Sequence, residues 1–387
     1  MSDPGSAPRA PRPRYELRDP ELNARIDELV ERAQAVYGPS AGADHVRQIV
    51  VAALRLLRDA PSRGDVKLMS AALKELVHAF RVFTPWEHVR KVSVFGSART
   101  GPDHPDWRQA RDFGERIVRA GWMVITGAGH GIMGAAQGGA GREASFGVNI
   151  RLPFEQRANE VIAGDVKLIH FRYFFTRKVV FVRQSHAIAL FPGGFGTFDE
   201  GLEALTLLQT GKSELVPVVF VDAPGGSYWR DWQRFIESHL LSRGLVGPHD
   251  LSLFRVTDDV DAAVAEITGF YRNYHSSRYV GDRLVLRVQQ APGPEALERL
   301  NRDFADVLTG GAIEVAAPLL EEDGEAPDLA RVVLRFDRRE VGRLRQLVDR
   351  LNAEAAAPAP ARADAALHEI VPKPLPPESE AEELAEG

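Results

Sequence analysis

The sequence predicts an α/β fold: a doubly wound parallel sheet over about residues 88–275, an N-terminal helical segment before it and a small α+β domain after it. Three observations carry this. From Lys91 onward, short apolar runs alternate with helix-length stretches, as βαβ units require. Two of those runs end in glycine-rich turns that open the next helix. The hydrophobic spacing on either side of this stretch is of another kind, helical before it and mixed after it.

Residues 1–20 are rich in Pro and Arg and are expected to be disordered. Over 21–87, Leu22, Ile26, Leu29 and Val30 recur at helical spacing, as do Val46, Ile49, Val50, Leu54 and Leu57, then Leu68, Ala72, Leu76 and Phe80. Thr84-Pro85 ends that pattern. Strands are expected at 92–95, 122–126, 147–152, 166–171, 187–191 and 216–221. Helices are expected at about 105–120, 131–143, 172–185, 197–210, 228–243 and 258–274. Over 280–354 the expected order is β-α-β-β-α, with strands at 284–288, 313–316 and 332–336 and helices at 294–308 and 339–353, a ferredoxin-like or ACT-like arrangement. Residues 355–387, rich in Ala, Pro and Glu, are expected to form a disordered acidic tail.

Composition narrows the chemistry. The 387 residues include no cysteine, which excludes disulfides, thiolate metal sites, Fe–S clusters and a cysteine nucleophile, and fits a reducing cytoplasm. No apolar run of about 18 residues is present, so no transmembrane helix is expected, and the N-terminus lacks the apolar centre of a signal peptide. The net charge is −6, and residues 356–387 alone, with seven acids against two bases, contribute −5. The remainder is nearly neutral. Bulk charge therefore argues against a nucleic-acid partner, and any anionic ligand must be recognised by local groups.

Four motifs supply such groups. Thr126-Gly127-Ala128-Gly129-His130-Gly131-Ile132-Met133-Gly134 lies between a strand and a helix, where glycines admit an anion to the free N–H groups of the helix start. Its Gly129-x-Gly131-x-x-Gly134 spacing also fits a dinucleotide fingerprint, although it follows the second strand and the next strand carries no terminal acid for a ribose. Phosphate or nucleotide binding, a dinucleotide site and a purely structural turn all remain open for it. Pro192-Gly193-Gly194-Phe195-Gly196-Thr197-Phe198-Asp199-Glu200 again joins a strand to a helix. Thr197 can cap that helix or touch a ligand. Asp199 suits a cap, and Glu200 is the candidate catalytic carboxylate. Arg177-Lys178 follows an aromatic run and reads equally as a solvated basic turn or as an anion-orienting guanidinium. Gly96 and Ser97, in the turn after the first strand, are pocket candidates, while Arg99 can be a plain surface residue. His130, His170 and His186 lack metal-ligand spacing, so no metal is expected.

Together these motifs resemble the LOG (Lonely Guy) family, also labelled "lysine decarboxylase-like", over about 88–275. The family hallmark PGGxGTxxE stands at residues 192–200, its Arg-Lys at 177–178, its Gly-Ile-Met-Gly at 131–134, and Val94-Phe95-Gly96-Ser97 also matches. Asn149-Ile150-x-Leu152-Pro153-x-Glu155-Gln156 is similar to the longer bacterial branch. The resemblance implies a Rossmann-like fold in a homodimer or higher homo-oligomer. The implied activity is hydrolysis of nucleoside 5′-monophosphates, purine, pyrimidine or cytokinin-type, to free base and ribose 5-phosphate, without a cofactor. By position it makes Glu200 and Arg177 the catalytic pair. Gly193, Gly194, Gly196 and Thr197 become the phosphate loop, and Gly96, Ser97, Gly127, Gly129, Gly131, Met133 and Lys178 further substrate-binding residues. The decarboxylase label finds no Schiff-base lysine context here. A triple-glycine run of the family is replaced by Gly127-Ala128-Gly129, and Ala128 is expected to narrow that loop slightly. The alternative is a nucleotide sensor or cofactor carrier of the same fold.

Overall fold

A computed structural model describes residues 15–151, 157–322 and 324–355. Of the segments expected to be disordered, 1–20 and 355–387, residues 1–14 and 356–387 lie outside these, as does the Leu152-Pro153-x-Glu155-Gln156 part of the bacterial-branch motif. Residues 15–20 do not follow that expectation, since Tyr15 and Asp19 are bonded to the helices that come after them. Contacts divide the chain into two units between Lys74 and Glu75.

The first unit is helical. Helix α1 (Pro20–Tyr37) is capped by Asp19, whose carboxylate accepts from the backbone of Glu21 and Leu22. Helix α2 (Ala43–Asp59) packs on it through Arg47, a buried guanidinium that donates to Asp27 at 2.5 Å and to the Tyr15 carbonyl at 2.8 Å. Helix α3 (Arg63–Phe83) runs across the division.

The second unit is built on seven parallel strands: β1 (Lys91–Phe95), β2 (Met123–Thr126), β3 (Ser145–Ile150), β4 (Leu168–Phe171), β5 (Ala187–Leu190), β6 (Val218–Val221) and β7 (Phe254–Thr257), in the order β4-β3-β2-β1-β5-β6-β7. Between them lie α4 (Pro105–Arg119), α5 (Ile132–Ala140), α6 (Phe174–Gln184), α7 (Phe195–Gln209) and α8 (Tyr228–Phe235), and α9 (Val260–Phe270) follows β7. The five inner strands, β1, β2, β3, β5 and β6, are buried on both faces, so they read as apolar runs. Alternation then assigns one core to each face. Val92, Val94, Val124, Ala189 and Val219 pack with Phe113 and Ile117 of α4 and Ala135 of α5. Phe95, Ile125, Phe146, Leu190 and Phe220 pack with Val180 and Phe181 of α6, Ala204 and Leu208 of α7, and Ala79 and Phe83 at the end of α3. The chain builds outward from β1 to β4 and then returns to lay β5 on the other side of β1. That reversal opens a crevice at the carboxyl ends of β1 and β5, the place where doubly wound sheets bind ligands.

The small domain follows: β8 (Tyr274–Val280), β9 (Arg283–Val288), α10 (Pro294–Asp303), β10 (Glu314–Ala316), β11 (Ala330–Leu334) and α11 (Val341–Glu354), with an antiparallel sheet in the order β10-β11-β9-β8. Its order is therefore β-β-α-β-β-α, one strand more than expected. The additional strand β8 carries a register irregularity between Tyr274 and Ser276, which interrupts the two-residue alternation that would reveal it. The expected helix at 258–274 accordingly stops at Phe270. Strand β7 was also not expected; it is an edge strand, mostly half-buried, with no apolar run to mark it. The expected helix at 228–243 is α8 followed by a wider-wound turn at Ile236–Leu240 and a tighter one at Leu241–Arg243. Among the described residues no helix is long and apolar enough to cross a membrane.

Candidate active site

The crevice is assembled from turns that can approach closely because particular side chains are missing. Gly131 has φ +63°, and a Cβ there would stand 2.3 Å from the Ser97 carbonyl. That proximity lets the Ser97 carbonyl accept from the Ile132 N–H at 3.0 Å, joining the turn after β1 to the start of α5. At Gly193 a Cβ would fall 2.1 Å from Thr197 Oγ1 and 3.0 Å from the Ser97 nitrogen. The turn after β5 is thereby seated on the turn after β1, where Ser97 N–H donates to the Pro192 carbonyl at 3.1 Å. The Tyr228 hydroxyl at the start of α8 donates to the Gly193 carbonyl at 2.5 Å and anchors the loop from outside. Beyond Gly193 the loop opens: Gly194, Phe195 and Gly196 are exposed, with Phe195 at 95%. They begin α7, so the first N–H groups of that helix lack intrahelical partners and face solvent with the positive end of the dipole.

Thr197 is buried beneath this loop, and neither it nor Asp199 caps α7; the N-cap is Gly194 and no side chain bonds there. The expectation of an Asp199 cap fails because that carboxylate is engaged elsewhere. It pairs at 2.9 Å with Lys178, which also pairs with Glu203 at 2.8 Å. Lys178 thus ties α6 to α7, and it is not an uncommitted cation at the mouth.

Its neighbour Arg177 points the other way. Nη2 donates to Glu200 Oε1 at 3.0 Å, and both side chains are largely buried, 14% and 7% exposed. Its guanidinium lies over Phe174 and Phe181, 5.1 and 5.6 Å from the ring centroids. Nε of Arg177 is buried and finds no hydrogen-bond partner among the described residues. Burial pushes the Glu200 carboxyl above its usual range, against the opposing pull of Arg177, and burial likewise lowers the Arg177 guanidinium. The pair is therefore incompletely satisfied. Gly127 borders it: a Cβ there would be 3.9 Å from Arg177 Nη1 and 3.0 Å from the Met133 sulfur, and one at Gly129 would meet the Met133 methyl at 2.6 Å. Met133 thus covers the Gly127–Gly129 turn beside Arg177.

Ala128 does not narrow the loop as expected. It adopts φ +61°, is fully buried, and its methyl lies toward Gly147 of β3, whose missing side chain makes room for it. Three contributors were not expected from the sequence. Asn159 donates to the Gly129 carbonyl at 2.9 Å and to Gln137 at 2.6 Å, and its N–H donates to the Ala128 carbonyl, holding the glycine turn in shape. Tyr228 anchors Gly193. Glu75 accepts from the start of α6. Each acts across 22 or more residues of chain, where no local spacing rule operates. Among the described residues no group of three or more His, Asp or Glu side chains is placed to hold a metal ion.

Comparison with known proteins places this geometry in context. A family model described as "Possible lysine decarboxylase" matches residues 132–267, which include Arg177 and the loop to Glu200. The cytokinin riboside 5′-monophosphate phosphoribohydrolase of Mycobacterium tuberculosis is 30% identical over 182 residues, 45% of this chain and 90% of that protein. A probable enzyme of the same name from Oryza sativa is 29% identical over 164 residues, 41% of this chain and 63% of that protein. Among solved structures, the molybdenum cofactor carrier protein of Chlamydomonas reinhardtii aligns with 46% of this chain and 96% of its own, at 22% identity and a TM-score of 0.33, too distant to bear on activity. With the mycobacterial protein matched over nearly its whole length and the four motifs gathered around one crevice, the chain belongs to the LOG (Lonely Guy) family.

Proposed function

We propose that the protein hydrolyses the N-glycosidic bond of nucleoside 5′-monophosphates, giving free base and ribose 5-phosphate. The observation that carries this reading is the buried, half-satisfied Arg177–Glu200 pair, set beside two glycine-rich helix starts at the sheet's switch point. Breaking the bond sends its electron pair to the base and leaves an oxocarbenium-like ribose. The Glu200 carboxylate faces that developing charge or takes a proton from the attacking water. The water oxygen bonds to the anomeric carbon, and its protons end on the base and on the new ribose hydroxyl. Arg177 has donors to spare for the sugar or the phosphate, so it can hold the substrate in register. The exposed N–H groups of Gly194, Phe195 and Gly196 suit the 5′-phosphate. Water is the sole co-reactant, so the reaction calls for no cofactor. Assembly as a homodimer or larger oligomer, and a cytoplasmic location, belong to the same reading.

Incubation with AMP, GMP, CMP and N6-isopentenyl-AMP, followed by chromatography of the bases, tests it. Release of base from at least one is expected. Tight nucleotide binding with no base released from any would leave a carrier or sensor instead.

A further inference from the structure

Helix α6 carries Arg177, yet its N-cap residue, Tyr173, supplies no side-chain hydrogen bond. The first turn is held from another element. Glu75, in the C-terminal part of α3, accepts from the Arg172 N–H at 2.8 Å through Oε1 and from the Thr176 hydroxyl at 2.6 Å through Oε2. Thr176 is fully buried and immediately precedes Arg177. The helix that presents Glu75 is itself fixed. Ala79 and Phe83 belong to the same core as Val180 and Phe181 of α6, and Phe83 stacks on Phe146 of β3 at 4.3 Å. A two-oxygen clamp on both sides of the first turn sets the height and rotation of α6, and with them the approach of Arg177 to Glu200.

We propose that Glu75 is a positioning residue for the reaction: by clamping Arg172 and Thr176 it sets where the Arg177 guanidinium meets Glu200 and the substrate. The inference rests on the reading of that pair as the catalytic one. It lies outside residues 132–267, the part matched by the family model, and so gives the end of the N-terminal helical segment a task in catalysis. Displacing a substrate-orienting group by about 1 Å can reduce a rate ~10²-fold, so the contact is well placed to matter.

The test compares Glu75→Ala, Glu75→Gln and wild type in the full chain, with AMP as substrate and melting temperature measured in parallel. Glu75→Ala is expected to lower kcat/KM about 10- to 100-fold. Glu75→Gln keeps an acceptor for Arg172 and a donor that the Thr176 hydroxyl can accept, so it should stay within about threefold of wild type. A second readout separates positioning from simple stabilisation of α6. If Arg177 moves away from Glu200, the carboxyl loses its neighbouring cation and the acid limb of the kcat/KM profile moves to higher pH in Glu75→Ala. A stability effect alone would lower the melting temperature and leave that limb in place. Wild-type kcat/KM per folded protein with an unmoved limb, or Glu75→Gln as impaired as Glu75→Ala, overturns the proposal. If the wild-type protein releases no base from any monophosphate, the functional reading fails separately, and AMP titration calorimetry decides the clamp. About tenfold weaker binding in Glu75→Ala supports it, and equal binding overturns it.

Discussion

Two of the buried carboxylate–arginine clusters in the second unit are built to opposite ends. In the small domain, Glu322 is fully buried and accepts from Arg331 at 2.9 Å, from Arg287 at 2.8 Å and from the Leu319 N–H at 3.0 Å. Arg331 also donates to the carbonyls of Glu325, Ala326 and Leu329. Burial by itself would raise the Glu322 carboxyl; Arg331, the Leu319 N–H and Arg287 outweigh it and hold the group down at about 2. In the sheet crevice, among the described residues, Glu200 has one such bond and its partner keeps an unpaired Nε; burial wins, so the carboxyl stands above its usual range. A saturated cluster fixes a fold. An unsaturated one retains bonding capacity that a ligand can complete.

The comparison is broken most severely at Glu322. Glu322→Ala leaves the fully buried Arg331 guanidinium with carbonyl acceptors but no carboxylate, and Arg287 with Glu325 alone, and should destabilise the small domain by about 3–5 kcal/mol, measured by chemical denaturation. The pH dependence has the same origin. Because the folded-state value lies below the ordinary 4.5, the stabilisation is present above 4.5 and is lost as pH falls from there toward about 2. Thermal melts over that window should show the small domain weakening first.

At the crevice the effect moves from stability to rate. Glu200→Gln should leave the melting temperature close to wild type while lowering kcat on nucleotides by ~10²–10³-fold. The raised carboxyl of Glu200 also predicts a kcat/KM profile whose acid limb lies above the ordinary glutamate value of 4.5. A limb below it would mean that Arg177, and not burial, governs the group.

Two smaller effects sharpen the contrast. Gly193→Ala forces a methyl against Thr197 and the Ser97 nitrogen, and should destabilise by about 1–3 kcal/mol while weakening phosphate-dependent binding. Lys178→Ala removes the pairs to Asp199 and Glu203, which lie partly in solvent, and should change stability by under about 1 kcal/mol, read from the denaturation midpoint.

The clusters also differ in how far they were legible in the sequence. Glu200, Arg177 and the glycine turns belong to short motifs, because a turn that must pass another backbone at contact distance restricts residue type over a few consecutive positions, as at Gly131 and Gly193. The inner parallel strands were legible for a related reason, since burial on both faces leaves unbroken apolar runs, whereas the half-buried edge strand β7 left none. Glu322 left no such trace. Its arginine partners are 9 and 35 residues away, and in sequence it is one acid in Glu321-Glu322. Glu75 was hidden likewise, 97 residues from Arg172 on a helix that reads as generic amphipathic surface. Ala128 misled in the other direction: a position that reads as narrowing a loop turns its methyl into space vacated by Gly147.

The central claim is that the unsaturated Glu200 site, working with a phosphate-binding helix start, cleaves nucleotides. The most direct measurement sets AMP against adenosine, with wild type and Glu200→Gln, and follows adenine and ribose 5-phosphate by chromatography. The account predicts adenine with an equal amount of ribose 5-phosphate from AMP, far less adenine from adenosine, and near-complete loss of both products in Glu200→Gln. Equal rates on AMP and adenosine, or undiminished release by Glu200→Gln, would contradict it.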